Sequence, residues 1–131
     1  GYRRSNLQEA HLVIAEVLFA LQPGDPHWLH AELCERIAQR CDRQPVSQPS
    51  AGSIFKRPDG DYAGRLVEVV GGKGLRVGDA MISEKHAGFI VNTGHATARD
   101  VLALLEQIRQ RVYEQEGVLL ETEVRVIGED L

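Results

Sequence analysis

Cysteine, methionine and tryptophan are scarce in this chain: two, one and one among 131 residues. Cys34 and Cys41 lie seven positions apart in a segment of helical pattern, about 10.5 Å along its axis and beyond disulfide reach. They read as reduced thiols, as in the cytosol. His27, His30 and Cys34 fall nearly on one helical face, but paired cysteine spacing and a fourth ligand are missing, so no metal site is expected. Long apolar runs are also lacking. No stretch approaches the ~18 residues of a membrane span, and no charged leader with an apolar stretch and cleavage site is visible. A soluble, cytoplasmic protein is expected. Positive charge is in deficit, 15 Lys+Arg against 19 Asp+Glu for a net −4, which gives no general attraction for nucleic acid or an anionic membrane. Any anion site must be local. The one methionine is Met81, so Gly1 is not a translation start and a fragment of a longer protein is expected.

What is present suits a globular chain: 43% hydrophobic and 26% charged residues with 13 Gly. His11 to Leu21 is rich in branched apolar residues and reads as a strand buried on both faces. Asp25 before Pro26 is an N-cap with proline at the first helical position, and Leu29, Leu33, Ile37 and Cys41 predict an amphipathic helix to about Asp42. Gln44 to Ser50 reads as a connector, which places a boundary between residues 1–47 and 48–131. Beyond it the pattern predicts a strand at Ser53 to Lys56, a helix from Tyr62 to Val70, and strands at Leu75 to Ser83 and Ala87 to Asn92. A helix opened by Thr97 and Asp100 and stopped at Gly117 follows, then an alternating strand from Val118 to Ile127. That order predicts an α+β fold of split β-α-β type, preceded by a strand-helix remnant of another domain.

Several constellations could carry chemistry. In Ser50 to Pro58, Gly52 would let a ligand approach the backbone, Ser53 can exchange a proton, and Lys56 with Arg57 could neutralise phosphate. The plainer reading is a tight strand entry beside a solvated basic pair. Gly71 to Gly74 hints at a phosphate loop, but it follows a helix where such a loop precedes one, so a helix C-cap fits better. His86 sits in a polar turn between strands. Glu121, Glu123 and Arg125 project to one side of the last strand, either as an acid-base group or as an ordinary solvated face.

Read in order, Gly1 to Ser5, Ala51 to Pro58, Ser83 to Asn92 and Leu120 to Arg125 resemble successive motifs of the UDP-N-acetylenolpyruvoylglucosamine reductases. The resemblance implies a flavoenzyme of peptidoglycan synthesis, and so of cell wall biogenesis, cell shape and division. It would reduce the enolpyruvyl ether of a UDP-sugar to UDP-N-acetylmuramate with NADPH through FAD. In that family the part of the chain before this one holds most of the FAD, so residues 1–47 would be the tail of the flavin-side domain and 48–131 the substrate-binding domain. The missing N-terminal half would be the partner, and the fragment alone would be inactive. The short turn at Gln22 to Asp25 resembles the branch without a substrate-covering tyrosine loop.

The catalytic residues carried over are Arg3, Ser53 and Glu123, with Lys56, Arg57 and His86 as substrate contacts. Hydride from reduced flavin would build negative charge next to the carboxylate, which Arg3 would stabilise. Ser53 would protonate the carbanion with Lys56 as its neighbour. Glu123 would be a hydrogen-bonding acid raised by burial. Arg57 stands where another branch of the family has asparagine, and Thr122 where proline is common. The competing reading is a stand-alone nucleotide-sugar-binding module without catalysis.

Overall fold

The computed structural model describes residues 5–8 and 12–128. It divides into two compact units, one ending at Glu32 and the other beginning at Leu33. In the first, a 3-10 turn at Asn6–Gln8 precedes an irregular stretch, residues 12–25, leading into helix α1 (Pro26–Arg43), whose residues from Leu33 on belong to the second unit. The predicted cap is present: the Trp28 N–H donates to Asp25 Oδ1 at 2.9 Å. The strand expected over His11 to Leu21 is not. His11 lies outside the described residues, and residues 12–21 are irregular and exposed. A strand buried on both faces needs neighbours to take its backbone hydrogen bonds and cover its side chains, and no strand is described in this unit. The apolar stripe of α1 is likewise uncovered, since the helix buries no residue.

The second unit is an α+β layer. Its elements are β1 (Ser50–Ser53), α2 (Ala63–Val69), β2 (Arg76–Val77), β3 (Ala80–Ile82), β4 (Phe89–Asn92) and α3 (Ala98–Glu116). The sheet has the order β1-β4-β3-β2, and every pairing is antiparallel. The single strand expected over Leu75 to Ser83 is instead the β2-β3 hairpin, because Gly78 and Asp79 turn the chain so that Arg76 faces Met81. The long final strand contracts to one bridge, Phe55 with Thr122. Leu120 is buried and Val118 and Val124 pack on the core as the alternation predicts, but Val126 and Ile127 are exposed.

Two helices cover the sheet through Leu66 and Val67 of α2 and Leu104, Leu105, Ile108 and Val112 of α3, all buried with Ile82 and Ile90. The start of α3 carries the expected box: Thr97 Oγ1 accepts from the Asp100 N–H, and Asp100 accepts from the Thr97 N–H. Gly71 to Gly74 closes α2. The Gly72 N–H donates to Val67 O and the Gly71 N–H to Glu68 O, with Gly71 at φ 70°. No described helix is long and apolar enough to cross a membrane.

Candidate functional site

A bulge shapes the end of β1. Ser50 pairs with Val91 and Ser53 with Phe89, so two residues of β1 span one of β4. Gly52 makes this affordable to the backbone: it sits at φ 84°, and a Cβ there would meet nothing within 4 Å. Its conformation, rather than tight space among the described residues, calls for glycine. The bulge re-aims Ser53, which is exposed and whose hydroxyl donates to the Phe55 carbonyl at 3.1 Å.

Past the bulge the chain pairs with the C-terminal segment. The Glu123 N–H donates to Ile54 O at 2.9 Å, and the Lys56 N–H to Glu121 O at 2.8 Å. Ser53, at the end of β1, and Glu123, in the irregular segment that meets the chain just past it, therefore stand on neighbouring stretches of backbone beside the buried side chains of Ile54 and Phe55. Glu123 is exposed, so the burial an acid role requires is not supplied by the described residues. Lys56 also departs from expectation. Its ammonium lies 2.9 Å from Glu121 Oε2, and that contact holds the Glu121 carboxyl below its ordinary value. It is Glu121, not Ser53, that Lys56 engages.

The Arg57 guanidinium lies over the Tyr62 ring, 4.0 Å from the centroid, and its Nε donates to Asp61 O at 3.2 Å. Beside it Arg65 grips the Asp61 carboxylate with two donors. The sequence reading missed Asp61, Tyr62 and Arg65. Their signal was the i, i+4 spacing of Asp61 and Arg65 around the start of a helix. His86 packs edge-on to Phe89 at 5.1 Å, and its Nδ1 accepts from the Gly88 N–H at 3.0 Å. That acceptance leaves Nε2 as the protonated nitrogen of the neutral ring. The turn is tied by buried Ser83, whose Oγ accepts from the N–H groups of Lys85 and His86.

Arg3 lies outside the described residues. Among the described residues no group of three or more His, Cys, Asp or Glu is arranged to hold a metal. An apolar cavity of about 500 Å³ opens between β1, the start of α3 and residues 124–127. Of the expected polar cluster only Arg125 reaches its wall.

Residues 44–127, which include the bulge, the basic pair and the closing segment, match the UDP-N-acetylenolpyruvoylglucosamine reductase C-terminal domain. The chain belongs to this reductase family. The Levilactobacillus brevis reductase of that name is 48% identical over 130 residues, spanning 99% of this chain and 43% of the relative. A second, from Symbiobacterium thermophilum, is 51% identical over 128 residues, spanning 98% of this chain and 42% of the relative. The crystal structure of the Thermus caldophilus reductase matches with TM-score 0.53 and 49% identity, covering 72% of this chain and 34% of that one. The chain thus spans less than half the length of these curated relatives.

Proposed function

We propose that this chain is the substrate-side portion of a cytoplasmic, NADPH-dependent flavoenzyme that reduces UDP-N-acetylglucosamine enolpyruvate to UDP-N-acetylmuramate for peptidoglycan. The observation that carries the reading is the pairing of residues 54–56 with 121–123, which brings Ser53 and Glu123 onto neighbouring stretches of backbone past the end of β1. Residues 1–47 are the tail of the flavin-side domain in this reading, and 48–131 are the substrate domain.

FAD does not fit the described residues as a holder. The one glycine-rich turn closes a helix, and the space beside Gly72 is filled by Val67 and Ile108. FAD and NADPH therefore belong to the N-terminal half of the parent, whose presence would also cover the apolar residues 12–21 and bury Glu123. Alone, the fragment is inactive.

Reducing an enol ether adds a hydride equivalent to one carbon and a proton to the carbon that bears the carboxylate. Ser53 supplies that proton once its hydroxyl turns from the Phe55 carbonyl to the substrate. Arg3 stabilises the developing charge, and Glu123 contributes a hydrogen bond after burial. Lys56, Arg57 and His86 hold the UDP-sugar, with Arg57 on the diphosphate.

The test separates the half-reactions of the full-length parent. Ser53→Ala leaves NADPH-driven flavin reduction nearly intact and slows substrate reduction by about a hundredfold or more, the contribution of a general acid, while Ser53→Cys recovers part of the loss. Substrate reduction within about threefold of wild type in the Ala variant, far below such a contribution, would rule out the proton-donor role.

A further inference from the structure

Arginine beside a carboxylate normally pairs with it, and a paired guanidinium is a poor anion receptor. Arg57 is four residues from Asp61 and escapes that pairing. Both Nε and Nη2 of Arg65 donate to the Asp61 carboxylate, the former at 2.7 Å, and the Tyr62 N–H donates to Oδ1 at 2.7 Å. Arg57 receives from Asp61 only its main-chain carbonyl, through Nε at 3.2 Å. With Nε held there and the guanidinium carbon seated over the Tyr62 ring, the two terminal nitrogens form a fork that donates no hydrogen bond among the described residues. The Asp61 carboxyl is held down at about 2, first by the Arg65 hydrogen bonds and then by the Tyr62 N–H, with Arg57 the smallest contributor.

We propose that Tyr62 and Arg65 are positioning residues for diphosphate recognition. Tyr62 holds the Arg57 guanidinium over its ring, and Arg65 occupies the Asp61 carboxylate so that Arg57 stays open to the diphosphate of the nucleotide-sugar. This rests on the function proposed above and adds to it a group that touches no ligand. A fork held in place at Nε and over a ring suits phosphate oxygens, which accept two parallel N–H bonds from one guanidinium. The loss of Arg65 would hand Arg57 a competing acceptor from inside the protein.

The experiment uses the full-length parent, with inhibition by UDP and by uridine as probes and KM and kcat for the enolpyruvyl UDP-sugar as the kinetic readout. Tyr62→Ala weakens UDP about threefold, the size of an exposed cation–π contact, and Tyr62→Phe restores it. Arg65→Ala weakens UDP about tenfold as Asp61 captures Arg57, raising KM more than it lowers kcat. Adding Asp61→Asn to Arg65→Ala removes the competing charge and recovers most of the loss. Uridine, which has no phosphate, responds little to any of these, and Lys73→Ala, at the far end of α2, leaves UDP inhibition in place. If Arg65 merely holds the start of α2, the double variant stays as weak as Arg65→Ala and uridine weakens in step, which overturns the proposal. It is also overturned, with the function left standing, if the wild-type enzyme binds UDP and turns over while Tyr62→Ala and Arg65→Ala match it. A wild-type parent that neither binds UDP nor reduces the enolpyruvyl sugar takes the function down as well.

Discussion

Val13 and Val67 are the same side chain in opposite surroundings: Val13 is 94% exposed in the first unit, and Val67 is fully buried in the second. The apolar residues of the 12–21 stretch are as branched as those of the sheet and helices, yet Leu12, Val13, Ile14, Val17, Leu18, Phe19 and Leu21 all face solvent. The difference lies in neighbours. In the second unit each apolar face meets another element, α2 and α3 against the sheet and β1 against β4, whereas no strand or buried helix face is described in the first. An apolar run states a demand for burial, and only tertiary partners meet it.

That comparison breaks most visibly by truncation. Leu104→Ala empties a fully buried position and should cost the second unit about 2–5 kcal/mol in urea unfolding. Leu18→Ala in this chain should stay within about 0.5 kcal/mol, as an exposed substitution does. In the full-length parent, where the proposed N-terminal half covers the stretch, Leu18→Ala should become costly too. Equal effects of the two substitutions in this chain would show that the first unit is already packed.

A glycine pair sharpens the same contrast with a smaller effect. A Cβ on Gly72 would lie 2.6 Å from Val67 O and 2.7 Å from Ile108 Cδ1, so Gly72→Ala forces core atoms apart at about 1–3 kcal/mol. A Cβ on Gly24 would meet only the Leu29 side chain, from 3.0 Å, and Leu29 is exposed and able to yield. Gly24→Ala should therefore be nearly silent in the same unfolding measurement. A large loss at Gly24 would mean that Leu29 is held by something rigid.

Local chemistry was legible in the sequence; partnership was not. The Asp25 cap, the Thr97 and Asp100 box and the glycine closure of α2 each depend on residues within a few positions of one another, and each is present. The stripe Leu105, Ile108 and Val112 is buried as its spacing predicts, with Val101 partly so. The strand over residues 12–21 failed because pairing depends on residues far away or outside the chain. Leu75 to Ser83 failed for a different reason: Gly78-Asp79 between two short runs is a two-residue hairpin signal that the single-strand reading passed over. At the candidate site, Gly52 and Ser53 were singled out through their motif, while the bulge that aims Ser53 depends on the register with β4. Arg57 was named for its charge, but its stack on Tyr62 is a geometric fact that composition does not carry.

The smallest effect concerns two helices with equally good starts. Thr97→Ala removes the α3 cap and should lower the stability of the second unit by about 1 kcal/mol, because α3 carries core residues. Asp25→Ala removes the α1 cap, yet α1 buries nothing, so the change should appear as lost helical circular dichroism with the main unfolding transition in place. Acid supplies an independent check. The Thr97 N–H, and then its hydroxyl, hold the Asp100 carboxyl below its ordinary value. A depressed carboxyl stabilises the fold fully above its unfolded pKa, and that contribution is lost as pH falls from there through the folded pKa. Wild type should therefore lose stability over that window by more than Asp100→Asn does, with the difference read from unfolding midpoints at successive pH values. Parallel curves would mean that the Asp100 carboxylate contributes nothing beyond what a neutral amide provides, and that α3 is held by its buried face alone.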